Sequence, residues 1–215
     1  MNAAKKLQDE WLLSYAAGAL DPARSLMVSS HIAYHDDLQE AVADAEILGG
    51  TLLESIDQSQ VSDGALDQLL SRLEDSPVKE IRPETSASGR TPEPLREFMD
   101  CDMDSLNWRF MGPGMSNARL WDGPGDEKLW LLRARGGIIV PEHGHTGDEW
   151  TLVLNGSYQT SQGHYLAGDI EVADDDIQHQ PRIDPDEECL CLVFTAGPFQ
   201  FKSMLARAAQ PFIGL

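Results

Sequence analysis

The chain has 215 residues, and 41% of them are hydrophobic, which is enough for one or two buried cores and excludes a globally disordered chain. Its formal net charge is −20, and residues 1–80 and residues 81–215 each contribute −10. Because an acidic chain is repelled by phosphate backbones, we expect no direct binding of nucleic acid and a preference for a basic protein partner. The alternative interpretation is that the charge serves solubility alone.

The sequence contains no apolar run of transmembrane length, and its start, "MNAAKKLQDEWLL", lacks the hydrophobic centre of a signal peptide. We therefore expect a cytoplasmic protein that makes no membrane contact and keeps its thiols reduced. Cys189 and Cys191 alternate on a predicted strand and share one face. We favour small buried hydrophobic side chains at both positions, with a redox pair as the alternative.

Periodic apolar residues predict short helices in the amino-terminal third of the chain. Leu7, Trp11 and Tyr15 lie four residues apart and form one stripe of the first helix. The second helix has Asp21 as a predicted N-cap and Pro22 at its first position. These features predict two helices that each turn one apolar face towards a small core.

A third and a fourth helix are predicted from a cap and from a leucine stripe. Asp37 and Glu40 resemble a capping box that opens the third helix, which we expect to end near Leu48 before a Gly-Gly pair. The stripe of the fourth helix consists of Leu66, Leu69, Leu70 and Leu73. Because all four stripes are narrow, we expect this unit to complete its core against a metal or a partner.

Three segments are predicted along the chain. Residues 1–75 form the helical domain, and residues 76–95 form a linker because they are rich in Pro, Ser, Thr and charge without periodicity. Residues 96–215 form a β domain of short alternating runs separated by Gly, Asp, Asn or Pro, and they end in a short tail. The predicted fold class is α + β, with a small four-helix domain followed by an antiparallel β barrel.

Four residues of the β domain form a candidate metal site. His143 and His145 are two residues apart, so on a strand their imidazoles point to the same side. Glu149 follows across a bend, and His179 comes after a later turn. Three imidazoles and one carboxylate suit zinc, iron, manganese or nickel. We predict one divalent metal here, and we favour zinc.

The spacing of this site resembles the first motif of the cupin superfamily. The string G-x5-H-x-H-x3-E-x6-G runs from Gly137 to Gly156 without a gap. A later turn and His179 fit the second cupin motif, although Leu166 stands where a proline is usual. The resemblance implies a small antiparallel barrel with a metal inside. The alternative is a metal-free cupin in which the same residues form a polar core.

The order of segments resembles the ChrR-type zinc-binding anti-sigma factors over nearly the whole chain. The likeness consists of "LLSYAAGAL", the helix pair around "HIAYHDDL", the linker, the cupin and the terminal "PFIGL". It implies that the helical domain wraps an extracytoplasmic-function sigma factor and blocks the surfaces that the sigma factor needs for RNA polymerase. It also implies that the cupin domain responds to an oxidative signal. The oligomeric state stays open between a homodimer and a one-to-one complex.

The chain departs from this family at a second, amino-terminal zinc site. The resemblance implies a histidine near the first helix and a His-x3-Cys-x2-Cys string, whereas this chain has Lys6, His31, His35 and Leu38 at those positions. Only two ligands remain, so we expect this domain to fold without zinc. His31 should then be a half-buried helix residue, Leu38 a core residue, and Lys6 a solvated one. The alternative is a weak metal site at the two histidines.

Three functions are consistent with these features. The favoured hypothesis is an anti-sigma factor, which is not an enzyme, with a metal-binding cupin as its sensor. The second is a metal-dependent cupin enzyme, similar to a dioxygenase, that acts on a small molecule. The third is a cupin whose metal only braces the barrel. The first is favoured over the second because an enzyme leaves the helical domain unexplained, and the third can coexist with the first.

Overall fold

The structure, a computed structural model, describes residues 5–74 and 91–202. Five α-helices and one 3-10 turn lie in these ranges. The helices are α1 (Asp9–Ala16), α2 (Pro22–Ile32), α3 (Asp36–Glu54), α4 (Ala65–Glu74) and α5 (Glu93–Met99), and the 3-10 turn is Met103–Ser105. Four helices therefore precede residue 75, as predicted, and a fifth precedes the strands.

The start of α2 is confirmed in detail, whereas both predicted ends of α3 are wrong. The Asp21 carboxylate accepts the backbone N–H groups of Ala23 and Arg24 at 3.0 and 2.9 Å, and so caps α2. Helix α3 starts at Asp36 without a side-chain cap. It also runs through the Gly-Gly pair, because glycine inside a helix costs only about 1 kcal/mol and the helix-forming residues around it continue the turn.

Eleven strands lie in the described part of the β domain. They are β1 (Arg109–Gly112), β2 (Met115–Asp122), β3 (Lys128–Ala134), β4 (His143–His145), β5 (Glu149–Asn155), β6 (Ser157–Gln159), β7 (His164–Leu166), β8 (Ile170–Ala173), β9 (Arg182–Ile183), β10 (Cys189–Thr195) and β11 (Phe199–Phe201). Every named pairing between them is antiparallel. The predicted α + β class is therefore confirmed.

The strands form three sheets around one interior. A six-stranded sheet has the order β1-β2-β3-β10-β5-β8, and two small sheets have the orders β7-β6-β9 and β11-β4. All three sheets contribute side chains to one buried cluster, which includes Trp130, Val153, Tyr158, Ile183, Cys191 and Phe201. This shared cluster is the inside of the barrel.

The large sheet buries its outer face as well. In β10 the side chains of Cys189, Cys191 and Val193 belong to the interior cluster, and those of Leu190, Leu192 and Phe194 belong to a second cluster. That second cluster also contains the buried apolar residues of α1, α2 and the start of α3. A strand that is buried on both faces has an almost unbroken run of apolar residues, and this accounts for the composition of "ECLCLVF".

Aromatic contacts hold the helices against this outer face. The indole of Trp11 in α1 meets the indole of Trp150 in β5 edge to face, with ring centroids 4.5 Å apart. The guanidinium of Arg24 in α2 lies 4.4 Å from the ring centroid of Phe194. Such contacts add to the hydrophobic burial around them. The helical segment and the barrel therefore share one core.

A second joint forms around the turn before β8. Gly168 has a φ of +92°, and a Cβ there would lie 3.0 Å from the side chain of Tyr34, so glycine lets the two segments approach closely. The Nε2–H of His35 donates to the carbonyl of Gly168 at 2.8 Å. The ammonium of Lys5 lies 3.2 Å from the carboxylate of Asp169. Polar contacts thus complete the apolar joint.

The predicted domain limits stay a prediction, because residues 75–90 lie outside the described residues. Helix α5 spans the predicted limit between the linker and the β domain. The predicted tail also falls mainly outside the described residues, which end at Lys202. Within the described ranges, no helix has both the length and the apolarity that crossing a membrane requires.

Candidate metal centre

The structure brings the four predicted metal ligands together. His143, His145, Glu149 and His179 are all buried, and one potential ligand atom from each lies within 4.8 Å of all the others. The two histidines of β4 share a side, and Glu149 opens β5. A mutual pair of backbone hydrogen bonds, 3.1 and 3.0 Å long, ties His143 to His179. Backbone pairing therefore fixes the positions of the Cα atoms from which these side chains extend.

The distances between the donor atoms fit a metal ion. The Nε2 atom of His179 lies 3.1 Å from Nε2 of His143, 3.3 Å from Nε2 of His145 and 3.4 Å from Oε1 of Glu149. Donors bound to zinc at about 2.0–2.1 Å in a tetrahedron are separated by about 3.3 Å. The residues present therefore suit a four-coordinate cation.

His143 is prepared as a neutral ligand. Its Nδ1–H donates to the carbonyl of Pro141 at 2.8 Å, which turns Nε2 towards the other donors. Burial lowers the pKa of His143 to about 4, and burial also lowers the pKa of His145. A neutral imidazole offers the lone pair that a metal needs.

Glu149 and His179 give the centre a field that favours positive charge. Burial raises the pKa of the Glu149 carboxyl, but the hydrogen bond from His179 and the nearby imidazoles outweigh burial and lower it to about 2. Burial lowers the pKa of His179, but its bonds to Glu149 and Glu171 outweigh burial and raise it to about 10. Both shifts show that a cation at this position is stabilised by carboxylates.

Glu171 is part of the site, and sequence reasoning missed it. It is 4% exposed, and its Oε2 lies 3.3 Å from Nδ1 of His179. In β8 it stands between Ile170 and Val172, so the alternation suggests a solvated side chain. Helices cover the outer face near Ile170, however, and Glu171 points inward. A charged residue in a strand next to a metal motif is the signal that was available.

An apolar cavity of about 120 Å³ lies beside the cluster. His143, Glu149 and His179 form part of its wall. Most of the remaining wall is apolar and includes Met111, Met115, Trp130, Leu132, Phe199 and Phe201. The rings of Phe199 and Phe201 lie 5.1 and 5.7 Å from the ring of His143. These two rings therefore cover one side of the imidazole.

The two strand cysteines are buried, as predicted. Their Sγ atoms lie 3.6 Å apart, and Cys191 also lines the cavity. The hydrogen bond with Cys189 and burial raise the pKa of the Cys191 thiol well above its ordinary value. A protonated thiol is a poor nucleophile, which agrees with the interpretation as small hydrophobic residues. The redox alternative stays a prediction.

At the amino-terminal site, two of the three side-chain predictions need correction. Lys6 is not simply solvated, since its ammonium donates to both carboxylate oxygens of Asp37 at 2.8 and 2.7 Å. His31 is fully rather than half buried, and its Nε2 accepts the backbone N–H of Leu7 at 3.4 Å. Leu38 joins the core, as predicted. In the described part of this domain, no three metal-binding side chains converge.

Comparisons with known proteins agree with this architecture. Residues 97–200 match the model of the ChrR cupin-like domain family. The anti-sigma-E factor ChrR of Cereibacter sphaeroides is 35% identical over 206 residues, which cover 96% of this chain and 96% of that protein. The crystal structure of Rhodobacter sphaeroides SigE in complex with the anti-sigma ChrR matches with a TM-score of 0.76 and 32% identity, over 88% of this chain and 97% of that one.

The likeness covers both halves of the molecule. The family model accounts for the barrel, and the similar protein extends the match across the helical segment. Identity above 30% over nearly the full length means that the likeness includes the sequence, the fold and the order of the segments. This chain belongs to the family of ChrR-type anti-sigma factors.

Proposed function

We propose that this protein is an anti-sigma factor, a regulator rather than an enzyme, which sequesters an extracytoplasmic-function sigma factor through its helical domain. The observation that carries the proposal is a set of exposed, large apolar side chains on α3, on the turn after it and on α4. This apolar helix surface consists of Ile47, Leu48, Leu52, Leu53, Ile56, Leu66, Leu69 and Leu70. An extended apolar surface of this kind marks a protein–protein contact.

The position of the apolar helix surface separates it from the joint with the barrel. In α3 the buried residues are Leu38 and Val42, both in the first half of the helix. The second half exposes its large side chains, and Leu53 is 69% exposed. Amphipathic helices with exposed apolar faces are suited to a groove or helix on a partner. The first half of α3 therefore serves the fold, and the second half is free for a partner.

Charge and relatives support the same class of partner. Residues 1–80 carry a net charge of −10, which attracts a basic surface and speeds association with it. The similar protein ChrR has been crystallised with SigE. A sigma factor has basic surfaces for DNA, so an acidic inhibitor with an apolar contact complements it. Direct contact of this chain with nucleic acid is not part of the proposal.

Binding of the full-length chain to the extracytoplasmic-function sigma factors of its organism tests the proposal. Leu53→Glu places a charge in the apolar helix surface, so we expect it to weaken binding at least about tenfold in a calorimetric titration. Phe110→Glu is the matched control, because Phe110 is 73% exposed on the barrel. Equal affinity of Leu53→Glu and the wild type would contradict the proposal.

We further propose that His143, His145, Glu149 and His179 hold one divalent metal, with zinc favoured over iron, manganese and nickel. Burial of all four side chains and the separation of their donor atoms support this site. When bound, the cation supplies positive charge and links β4, β5 and the segment before β9. For the amino-terminal histidines we propose no metal, since Lys6 engages the nearby carboxylate.

Strand β5 provides a route from this centre to the helices. Glu149 points to the cluster of ligands, and the next residue, Trp150, points to the outer face and meets Trp11 of α1. Successive side chains of a strand alternate between faces, so a shift of Glu149 moves Trp150 as well. We infer that the cupin modulates the inhibitory helices through this contact. The oxidative nature of the signal stays a prediction.

A linkage measurement tests the route. We expect metal to change the affinity of the full-length protein for its sigma factor, and the sigma factor to change the affinity for metal by the same factor. Trp11→Leu removes the contact with Trp150 and should bring that factor towards one while the affinity for metal alone is kept. An unchanged factor in Trp11→Leu would show that β5 is not the route.

The apolar cavity favours a second candidate, a metal-dependent cupin enzyme similar to a dioxygenase. A cavity of about 120 Å³ beside the metal ligands has room for a small apolar molecule. The test is oxygen uptake by the iron-loaded protein with a small diketone such as acetylacetone. Turnover that is lost in His143→Ala would favour the enzyme over the regulator.

Two further features belong to the proposal. We propose a cytoplasmic protein, which fits a partner that works with RNA polymerase. The complex with the sigma factor is proposed as one-to-one, and a homodimer of the free protein stays a prediction. Light scattering of the free protein and of the complex measures both masses.

A further inference from the structure

Glu171 is a buried carboxylate that lies next to the metal ligands and outside their set. It is 4% exposed and sits in β8 opposite Thr151 of β5. A buried carboxylate is costly unless hydrogen bonds and charges compensate for the loss of water. Its neighbours therefore show what the protein uses it for.

Both oxygens of Glu171 are engaged. Tyr158 donates its hydroxyl hydrogen to Oε2 at 2.8 Å, and Thr160 donates to Oε1 at 3.2 Å. Oε2 also lies 3.3 Å from Nδ1 of His179. Two neutral donors thus hold the carboxylate, and it lies at ion-pair distance from Nδ1 of His179, a buried nitrogen that has no hydrogen-bond partner of its own among the described residues.

The two ring nitrogens of His179 face different groups. Nε2 faces the other predicted ligands, including Nε2 of His143 at 3.1 Å, whereas Nδ1 faces Glu171. An imidazole can rotate about χ2 unless its second nitrogen is held, and the partner of that nitrogen selects which one carries the hydrogen. When a cation displaces the proton from Nε2, a carboxylate next to Nδ1 keeps the hydrogen on Nδ1 and leaves the lone pair on Nε2.

His143 has a neutral acceptor at the same ring position. Its Nδ1–H donates to the neutral carbonyl of Pro141 at 2.8 Å. His179 therefore differs in having a carboxylate behind it, which makes the ring a stronger donor to a cation. Among the three predicted imidazole ligands, His179 is the one with a buried carboxylate next to its Nδ1.

We propose that Glu171 is a positioning residue of the metal centre, which orients His179 through Nδ1 and is itself held by Tyr158 and Thr160. The inference rests on the proposed metal centre and applies to whichever divalent cation occupies it. We place Glu171 outside the ligand set, because the four residues whose ligand atoms converge within 4.8 Å of one another do not include it. The contacts from Tyr158 to Glu171 and from Glu171 to His179 thus connect β6 through β8 to the predicted ligand.

The test uses the metal-stripped, full-length protein and cobalt as a spectroscopic probe, followed by competition with zinc. We expect Glu171→Gln to lower the affinity for both metals by about 10–100-fold and to change the visible absorption of bound cobalt, because His179 loses its fixed orientation. Tyr158→Phe, which removes one of the two hydroxyl supports, should give a smaller loss. Glu142→Gln is the control, since Glu142 is a partly exposed carboxylate paired with Lys202.

The outcomes separate this inference from the proposed site. If the wild type binds no cobalt, the metal centre and this inference both fail. If the wild type binds cobalt and Glu171→Gln binds it with the same affinity and the same spectrum, the centre stands and the role of Glu171 is overturned. A variant that binds weakly with an unchanged spectrum also contradicts positioning, because a general loss of folding lowers occupancy without altering the bound geometry.

Discussion

Two pairs of histidines, one in each half of the chain, have opposite surroundings. The rings of His31 and His35 lie 4.7 Å apart, and the rings of His143 and His145 lie 5.1 Å apart. Among the residues that the structure describes, only the second pair has a buried carboxylate, Glu149, that converges with it. Proximity of two imidazoles does not by itself predict a metal site, and we propose that the other donors around each pair make the difference.

Electrostatics separates the two pairs further. Burial, with added repulsion from the neighbouring His35 and Lys6, lowers the pKa of His31 to about 4. In the barrel, two carboxylates overcome burial and raise the pKa of His179 to about 10. The amino-terminal pocket thus disfavours a positive charge, and the barrel pocket attracts one. The helical domain uses its histidines for packing and for the joint at Gly168.

The largest expected effect breaks the barrel site. His143→Ala with His145→Ala removes two of four donors, so we expect metal content to fall from one per chain to none. His31→Gln is the matched control in the other half and should keep one metal per chain. Elemental analysis of the purified proteins measures both. Loss of metal in His31→Gln would contradict the proposal that the barrel, and not the helical domain, holds the metal.

The converse experiment rebuilds the amino-terminal site. Lys6→His, His35→Cys and Leu38→Cys together restore the ligand types that the family resemblance implies around His31. Four closed ligands hold zinc firmly, so we expect this variant to bind a second zinc ion. The stoichiometry of zinc after gel filtration is the readout. A stoichiometry of one would mean that more than ligand identity separates the two pockets.

A smaller effect tests the core that joins the regions. Trp150 is fully buried between the barrel and α1, so Trp150→Ala should lower the free energy of unfolding by about 3–5 kcal/mol. Val172→Ala in the neighbouring strand is the control, since Val172 is 43% exposed and should cost less than about 0.5 kcal/mol. Urea unfolding measures both. Similar values for the two variants would argue against a shared core.

The smallest effect concerns pH. Because the pKa of His31 falls from 6.5 in the unfolded chain to about 4 in the folded protein, the unfolded chain alone takes up a proton between these values. The contribution of His31 to the free energy of unfolding is therefore fully present above pH 6.5, and it is lost as the pH falls towards 4. We expect a loss of about 2 kcal/mol between pH 7 and pH 5.

His31→Gln supplies the comparison for this pH effect. The amide of glutamine can still accept the backbone N–H of Leu7 but does not titrate. The metal-free variant should therefore lose about 2 kcal/mol less stability between pH 7 and pH 5 than the metal-free wild type does. An equal pH dependence of the two proteins would assign the effect to other groups.

The sequence predicted the parts of the molecule that depend on local chemistry. Asp21 and Pro22 mark the start of α2 because capping is decided within one turn. The ligand spacing predicted the barrel and the cluster because a strand fixes which residues share a side. The helix class of the first domain followed from apolar periodicity in the same way.

The parts that failed depend on tertiary contacts. Glu171 was missed because helices bury the outer face of the sheet and so hide the alternation of β8. Lys6 was assigned to solvent because its partner, Asp37, lies 31 residues away. The Gly-Gly pair predicts a helix end, but α3 continues through it because the cost of glycine inside a helix is small. Predictions from short segments of the sequence cannot include the tertiary contacts that decide these features.

The most direct test of the account is the metal content of the complex formed by co-expressing this protein with an extracytoplasmic-function sigma factor of its organism. The account predicts a stable complex with one divalent metal per chain of this protein, held at His143, His145, Glu149 and His179. Two metals per chain would contradict the loss of the amino-terminal site, and a complex without metal would contradict the barrel centre.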